Sequence, residues 1–356
     1  MINTFMKSKV FIGLLFACLS FLLMKYDVEA QTTSSSFSLV GIYKNAFSSV
    51  SVTQSCLTNN SNITITSLMA LPNSLVGLSK PKSVALDSQG NIYIADMRVN
   101  QIKKFGANGV LQKTWGNEGG GKEVGNFKQP YDLALDSAGN IYVADYGNHS
   151  VQKFVVSSGV WEAWCSKPVK GGCALGKGNR EFWYPRAIAA DDVSVYVADA
   201  SRRVQILSST NGTFVQSFKP QVVTQDIAFN PGYVTGGATS LYLTGGNVIR
   251  KYVLSNGQWS ESVSGGWPKM VRGSVALALD YNGNVYSANT SGYPKIIKFS
   301  NIGAQLKTYI KSAKNCYLGI PSSIVFHNNN TDDIADDYLY VNDIGNNRFL
   351  KIQETQ

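Results

Sequence analysis

The chain has 356 residues, of which 44% are hydrophobic and 15% are charged, and its formal net charge is +9. A chain of this length can form two average domains or one β-ring, and a basic surface favours an acidic partner. It contains two histidines, which excludes a metal centre built from three histidines.

The N-terminus has the pattern of a targeting segment. Lys7 and Lys9 precede an apolar run over 10–24, and the small residues at 28–30 are typical of a cleavage site. We predict a cleaved signal peptide over 1–30 and a secreted, extracellular product, with no stable membrane span after cleavage. The alternative is a chain anchored in the membrane by an uncleaved N-terminal segment. Cleavage removes three lysines and two acidic residues, which leaves 29 basic against 21 acidic side chains, or +8.

One pattern then recurs six times along the chain. Each copy has an apolar strand, a turn and a second apolar strand that closes on Asp or a replacement for it. The copies begin at Pro81, Pro130, Pro185, Asp226, Val275 and Ser323. Their closing residues are Asp96, Asp145, Asp199, Gly245, Asn289 and Asp343, which lie 44 to 54 residues apart. Alternation at period two with this spacing predicts one propeller blade per copy.

The first copy shows why a blade is expected. Strands at 84–86 and 92–94 contain β-branched, aromatic and small residues, and Gly90 lies in the turn between them. Strands at 101–105 and 111–115 complete an antiparallel sheet of four strands. The last copy ends after its third strand, so we predict that an N-terminal segment, near 37–43 or 63–65, supplies the fourth strand and closes the ring.

These repeats resemble the NHL repeat family, over residues 78–352. The resemblance lies in the strand Tyr142-Val143-Ala144-Asp145 and in glycine-rich linkers that end at Pro130 and Pro185. It implies an all-β, six-bladed propeller. After the closing Asp the chain departs from the Asn-His-Arg-Ile that the family favours. The predicted organisation is a signal peptide at 1–30, an N-terminal segment at 31–77 that contributes the closing strand, and an NHL-type propeller at 78–356.

Four cysteines remain after cleavage of the signal peptide, and they allow three pairings. We favour Cys165 with Cys173, because the two stand at the ends of one interblade loop. Cys56 and Cys316 would then meet where the ring closes. No Cys-x-x-Cys pattern supports a metal site.

Sequons for N-glycosylation recur along the chain. The predicted acceptors are Asn59, Asn62, Asn148, Asn211 and Asn329. A sixth sequon, at Asn289, occupies a closing-Asp position and is expected to be structural.

Lysines recur in the third strands, at Lys104, Lys153, Lys251, Lys298 and Lys351. Equivalent positions in successive blades point outward around the ring, so these charges are dispersed. We expect solvated lysine heads over apolar stems. With secretion, this argues against a nucleic-acid partner.

Enzymes related to the family hold zinc or calcium in the central channel. His149 and His327 occupy different blade positions and do not form such a site, and the acids at Asp87, Asp136, Asp191 and Asp280 are expected to accept N–H bonds from turns. The closing acids are expected to do the same. No nucleophile elbow, carboxylate pair or phosphate loop is present. We therefore predict no catalytic or metal-binding residues and no cofactor. A channel-centred, metal-dependent lyase or lactonase-like hydrolase is the alternative function.

Residues beside the blade-opening prolines are the predicted ligand site. They are Lys82, Tyr131, Asp132, Trp183, Tyr184, Arg186 and Asp226. Aromatic and Arg side chains dominate interfaces, and aromatic faces stack on sugars. Packing of Trp183 and Tyr184 between blades is the structural alternative. The sequence thus predicts a monomeric, non-catalytic scaffold that binds an extracellular protein or an acidic glycan.

Overall fold

A computed structural model describes residues 52–58, 61–67, 77–166, 168–169, 172–230, 232, 238–264, 266–309, 318–327, 338–346 and 348–354. These residues form a six-bladed propeller of antiparallel sheets, as predicted. The only helices in this part of the chain are two 3₁₀ turns, Tyr146–Asn148 and Ile344–Asn346. None of its helices has the length and hydropathy of a membrane span.

Blades 1 to 3 follow one another along the chain, each with four strands. Blade 1 contains β3 (Pro81–Leu86), β4 (Ile92–Asp96), β5 (Gln101–Phe105) and β6 (Leu111–Trp115). Blade 2 contains β7 (Pro130–Leu135), β8 (Ile141–Asp145), β9 (Ser150–Val155) and β10 (Val160–Trp164). A small hairpin of β11 (Pro168–Val169) and β12 (Gly172–Cys173) precedes blade 3. Blade 3 contains β13 (Pro185–Ala190), β14 (Ser194–Asp199), β15 (Arg203–Ser208) and β16 (Phe214–Phe218).

Blades 4 to 6 vary this plan. Blade 4 contains β17 (Asp226–Asn230), β18 (Ser240–Gly245), β19 (Val248–Ser255) and β20 (Gln258–Glu261), with β21 (Lys269–Met270) also paired to β19. Blade 5 contains β22 (Ser274–Leu279), β23 (Val285–Asn289), β24 (Lys295–Phe299) and β25 (Gln305–Tyr309). Blade 6 contains β26 (Pro321–His327), β27 (Tyr338–Asp343) and β28 (Arg348–Glu354), joined by β2 (Ser61–Ser67) and β1 (Val52–Thr58).

The N-terminal segment closes the ring, as predicted. Strand β2 pairs antiparallel with β28, with Ile65 opposite Ile352, so the closing strand contains residues 63–65. Strand β1 pairs with β2 and gives blade 6 a fifth strand that the sequence pattern did not predict. The other candidate, 37–43, lies outside the described residues.

The hydrophobic core consists of six clusters, one between each pair of neighbouring blades. Between blades 6 and 1, Tyr340 and Phe349 pack with Val84, so early and late parts of the chain share a cluster. The second strand of each blade is buried on both faces, because both faces pack against a neighbouring blade. Burial of this apolar area is the main stabilising contribution to the ring.

The acids that end the first strands accept turn N–H bonds, as predicted. Asp87 accepts bonds from the backbone N–H groups of Gln89 and Asn91, at 3.1 and 2.8 Å, and from the Tyr93 hydroxyl at 3.1 Å. The same pattern recurs at Asp136, Asp191 and Asp280. These carboxylates are therefore structural.

For the closing acids the expectation of a bond to the local turn was wrong in most blades. Asp96 is buried and accepts N–H bonds from Ser79 and Lys80, both 2.8 Å, so it fixes the linker that enters the blade. Asp343 binds the linker N–H groups of Gly319 and Ile320 in the same way. In blade 4 a side chain at Gly245 would collide with the Val223 carbonyl, which explains the missing Asp.

The recurring lysines correct a second expectation. Their ammonium groups lie over tyrosine rings of the second strand, at 5.1 Å for Lys104 on Tyr93 and 5.0 Å for Lys298 on Tyr286. Lys153 is only 6% exposed and donates to the Ser209 carbonyl at 2.7 Å. The heads are thus held by cation–π contacts and ion pairs, such as that of Lys298 with Asp280 at 3.3 Å.

The disulfide between Cys165 and Cys173 is present, as predicted. The second predicted pair stays untested, because Cys316 lies outside the described residues. Among the predicted glycosylation sites, Asn59 and Asn329 also lie outside them, and Asn62 belongs to β2.

Two of the predicted glycosylation sites have described side chains. Asn211 is exposed and binds the N–H of Thr213 in a turn. Asn148 is 4% exposed, and its amide nitrogen donates to the Gly121 carbonyl and to Asp145, both at 2.7 Å. The Asn148 side chain is therefore held inside the blade, and glycosylation at this residue stays a prediction. Asn289 is fully buried, in keeping with a structural role.

Candidate functional site: the mouth of the channel

First strands of successive blades are neighbours around the ring, so they line its central channel. Five of them carry an irregularity in pairing directly after their first residue. The residues in these bulges are Lys82, Tyr131, Arg186, Val275 and Ser322. A bulge re-aims one side chain and often lies beside a functional site. The fold therefore presents one such side chain at this end of the channel in each blade except blade 4.

In blades 1 to 3 these side chains join a column of aromatic rings. Tyr131 packs against Tyr146, with ring centroids 5.3 Å apart, and Tyr146 packs against Tyr184 at 4.7 Å. His149 meets Tyr184 edge-on at 4.4 Å. Lys82 lies 4.7 Å above the Tyr131 ring, and Arg186 lies 5.9 Å from the Tyr146 ring. We call these six residues the mouth strip.

Local backbone conformation holds one end of the mouth strip. Tyr184 has φ 51° and His149 has φ 55°, both in the left-handed region. This conformation is unusual for a bulky side chain, costs about 1–3 kcal/mol, and is concentrated at functional sites. Tyr184 is followed by Pro185, which opens blade 3. The same conformation recurs at equivalent positions, at Gln129 before Pro130 and at Asn100 and Arg202 after closing acids, so it belongs to the repeat. In blade 3 the residue at this position is Tyr184, and its ring lies next to Tyr146.

The two cations of the mouth strip are available to a ligand. Neither Lys82 nor Arg186 forms a salt bridge with a described carboxylate, and the Arg186 Nε has no hydrogen-bond partner among the described residues. The contrast is with Arg203, which pairs with Asp199 at 2.8 Å and is buried. Arg203 is thus paired with a carboxylate inside its blade, whereas Lys82 and Arg186 contact aromatic rings and form no salt bridge with a described carboxylate.

Two carboxyls lie in the channel wall behind the strip. Asp132 accepts bonds from the Ser83 hydroxyl at 2.5 Å and from the Ile188 N–H at 2.8 Å, which connects blades 1, 2 and 3. Asp226 accepts bonds from the N–H groups of Ile227 at 2.8 Å and Leu277 at 2.7 Å, which connects blades 4 and 5. Both side chains therefore tie neighbouring blades together.

Burial changes the titration of these acids. It raises the pKa of Asp132 to about 6, and it raises the pKa of Asp226 well above its usual range, with a further contribution from the charge of Asp132. Asp226 keeps some accessible surface towards the channel, but protein atoms surround it, which explains the desolvation. The positive charge of Lys82 opposes both pKa shifts. Lys82 is thus the cation that both acids face.

These residues do not fit a channel metal ion. The oxygens of Asp132 and Asp226 already accept N–H bonds, and Lys82 adds a positive charge beside them. Across the described part of the chain, no three His, Cys, Asp or Glu side chains come together in a group that could hold a metal ion. A ligand set of two occupied carboxyls is smaller than metal sites in proteins require.

The sequence-predicted site residues fall into three groups. Lys82, Tyr131, Tyr184 and Arg186 come together in the mouth strip, and Asp132 and Asp226 line the channel behind it. Trp183 is outside the column; its ring is covered by Lys177, 4.2 Å away.

Sequence reasoning missed Tyr146 and His149 as members of the site. Tyr146 directly follows the closing Asp145, and that position faces the bulge residue of the same blade across the β7–β8 pair. His149 lies close to Lys122 and Lys128; its pKa is lowered, mainly by burial and further by these two charges. The clue available in the sequence was the aromatic residue after the closing Asp.

Comparison with known proteins agrees with this fold. The NHL repeat family matches residues 127–154, which include three members of the mouth strip. No curated protein matches the chain. Fold and repeat together define a six-bladed β-propeller that carries an NHL repeat.

Solved structures with the same fold include a lyase and a protein that bears the name of a lactonase. Virginiamycin B lyase from Staphylococcus aureus is 12% identical, with a TM-score of 0.52 over 82% of this chain and 87% of the lyase. A protein assigned as a gluconolactonase is 15% identical, with a TM-score of 0.56 over 82% of this chain and 92% of that one. At these identities the likeness concerns the fold alone, and propellers support binding and catalysis alike.

Proposed function

We propose that this chain is a secreted, non-catalytic propeller that binds an acidic extracellular partner, protein or glycan, at the mouth strip. The observation that carries the proposal is the pair of cations, Lys82 and Arg186, that have no salt bridge among the described residues and flank a column of tyrosines. Arg, Tyr and Trp contribute most to binding energy at interfaces. Charge-assisted bonds to an anionic ligand are the strongest contacts this surface can make.

The surroundings of the strip support an anionic ligand. The exposed Lys122 and Lys128 lie near its His149 end. Burial raises the pKa values of the nearest acids in the channel wall. The cations in and beside the strip favour association with acidic groups.

The test compares two variants on acidic polymers. Lys82→Gln with Arg186→Gln should weaken binding to polyglutamate and polygalacturonate about tenfold or more, because each charge-assisted bond contributes roughly 1.5–3 kcal/mol. Lys113→Gln is the matched control, since Lys113 also lies over an aromatic ring, 5.0 Å from Trp115, but on the outermost strand of blade 1. Unchanged binding in the double variant, or an equal loss in the control, contradicts the proposal.

A channel-centred enzyme is the second candidate. Its support is the pair Asp132 and Asp226, since raised carboxyl pKa values in a cleft are typical of acid–base sites. This function predicts turnover that Asp132→Asn abolishes and, for a metal-dependent enzyme, a stoichiometric divalent ion in the purified protein. The binding function predicts neither. Elemental analysis and recovery of intact ligand after incubation separate the two.

A further inference from the structure

The phenol groups of the mouth strip lack partners inside the protein. No described residue makes a hydrogen bond to the hydroxyl of Tyr131, Tyr146 or Tyr184. These hydroxyls are also not among the fully buried polar atoms without a partner, so they reach solvent. A row of three phenols beside two cations offers donors and acceptors as well as positive charge.

The stacking that orders the column also restricts how it can bind. One face of the Tyr131 ring is covered by Lys82 and the ring also packs on Tyr146, whereas Tyr146 packs on both Tyr131 and Tyr184. The ring faces are therefore largely occupied. Sugar stacking on a free aromatic face, which the sequence suggested, is replaced by hydrogen bonding at the ring edges and hydroxyls.

The strip contains Tyr and Arg, which protein interfaces use, but it has no aliphatic side chains beside them. Protein interfaces surround such residues with a closely packed, largely apolar centre. The exposed large hydrophobic residues of the described chain, such as Met270 at 80% and Ile302 at 65%, belong to other parts of the ring, and none belongs to the strip. The strip combines charge with hydroxyl groups, which matches a ligand that carries acids on a hydroxyl-rich framework.

We propose that the ligand of the mouth strip is an acidic polysaccharide, whose carboxylates pair with the two cations and whose hydroxyls bond to the three phenols. This inference rests on the proposed function, which requires only that the ligand be acidic. Tyr184 contacts Tyr146, which also contacts Tyr131, so the three rings form one continuous row. A polymer with carboxylates but no hydroxyls, such as polyglutamate, offers the phenols fewer partners than a glycan does.

The test removes the hydroxyls and keeps the rings. The triple variant Tyr131→Phe, Tyr146→Phe and Tyr184→Phe should weaken polygalacturonate binding roughly tenfold and leave polyglutamate binding within about twofold, because neutral hydrogen bonds each contribute a few-fold in affinity. Tyr293→Phe, at a tyrosine 71% exposed on blade 5, is the control and should change neither. Melting temperatures report whether the variants fold.

Further controls compare different ligands of the wild-type protein. The wild type should bind polygalacturonate at least tenfold more tightly than its fully methyl-esterified form, which keeps the hydroxyls and loses the charge, and more tightly than polyglutamate. If Arg186→Gln weakens both acidic polymers but the triple variant keeps full affinity for polygalacturonate, the glycan inference fails and the proposed function stands. If Arg186→Gln weakens neither polymer, both fail.

Discussion

Blades 1 to 3 and blades 4 to 6 share one backbone plan and differ in the side chains they place on it. At the bulge of the first strand, blades 1 to 3 carry Lys82, Tyr131 and Arg186, whereas blades 5 and 6 carry Val275 and Ser322. The comparison shows that the propeller backbone sets the positions available to functional side chains. The residue at each of these positions then differs from blade to blade.

The closing position divides the blades differently. Blades 1, 2, 3 and 6 close with the buried acids Asp96, Asp145, Asp199 and Asp343, whereas blades 4 and 5 close with Gly245 and Asn289. The buried acids fix the linkers that enter their blades, and the presence of one in blade 6 shows that such a linker does not by itself make a mouth strip.

The largest expected effect is a loss of stability on substitution of the closing acid of blade 3. Asp199→Ala should lower the free energy of unfolding by about 3–5 kcal/mol, because it leaves the buried Arg203 guanidinium without its carboxylate. Asn289→Ala, at the same position of blade 5, removes only neutral hydrogen bonds and should cost about 1–2 kcal/mol. Urea denaturation measures both. Equal losses of unfolding free energy in the two variants would show that the closing Asp of blade 3 stabilises the fold no more than the closing Asn of blade 5 does.

The second prediction concerns pH and blade 2. Burial raises the pKa of Asp145 to about 7, above the value near 4 of an unfolded chain. The folded state therefore binds this proton more tightly, so its stabilising contribution is present at low pH and is lost as pH rises from about 4 to about 7. Its size is on the order of 4 kcal/mol, at 1.36 kcal/mol for each pKa unit.

Asp145→Asn gives blade 2 the residue that closes blade 5, and it cannot titrate. The variant should show a smaller decrease in unfolding free energy between pH 5 and pH 8 than the wild type does, whatever its absolute stability. Denaturation series at the two pH values make the measurement. A variant with the same slope as the wild type would place the titration elsewhere, since Asp132 shifts in the same direction.

The smallest effect tests the aromatic column. Tyr146→Thr gives blade 2 the residue that follows the closing position of blade 5, Thr290, and separates Tyr131 from Tyr184. Binding of polygalacturonate should weaken several-fold, by about 1 kcal/mol. Each aromatic pair contributes about this much free energy to holding its two rings in place. Tyr293→Thr on blade 5 should have no effect. Similar losses in both variants would mean that the column does not organise the site.

The sequence was sufficient for the fold because a repeated strand pattern fixes strands, turns and ring closure together. Two runs of period-two alternation with a Gly between them, as around Gly90, predict a β-hairpin in each copy. The last copy lacks a fourth strand, and this predicts that the N-terminal part of the chain supplies that strand. Strand β1 escaped prediction, since its partner β2 is itself outside the repeat.

The site was predictable only in part. Residues next to blade-opening prolines were visible as a set, so Tyr131 and Arg186 were found. Tyr146 was missed because its role depends on the bulge that turns Tyr131 towards it, and a bulge leaves no mark in a single sequence. Likewise, the lysines over tyrosines looked solvated, since a cation–π contact requires knowing which second-strand ring faces each lysine.

Hydrogen exchange of the protein with and without polygalacturonate tests the central claim most directly. If the mouth strip binds an acidic ligand without chemistry, protection should increase in segments 128–149 and 182–187 and stay unchanged in 274–290 and 318–323, with the polymer recovered at its original length. Protection centred on blades 5 and 6, or a polymer shortened during the incubation, would contradict it.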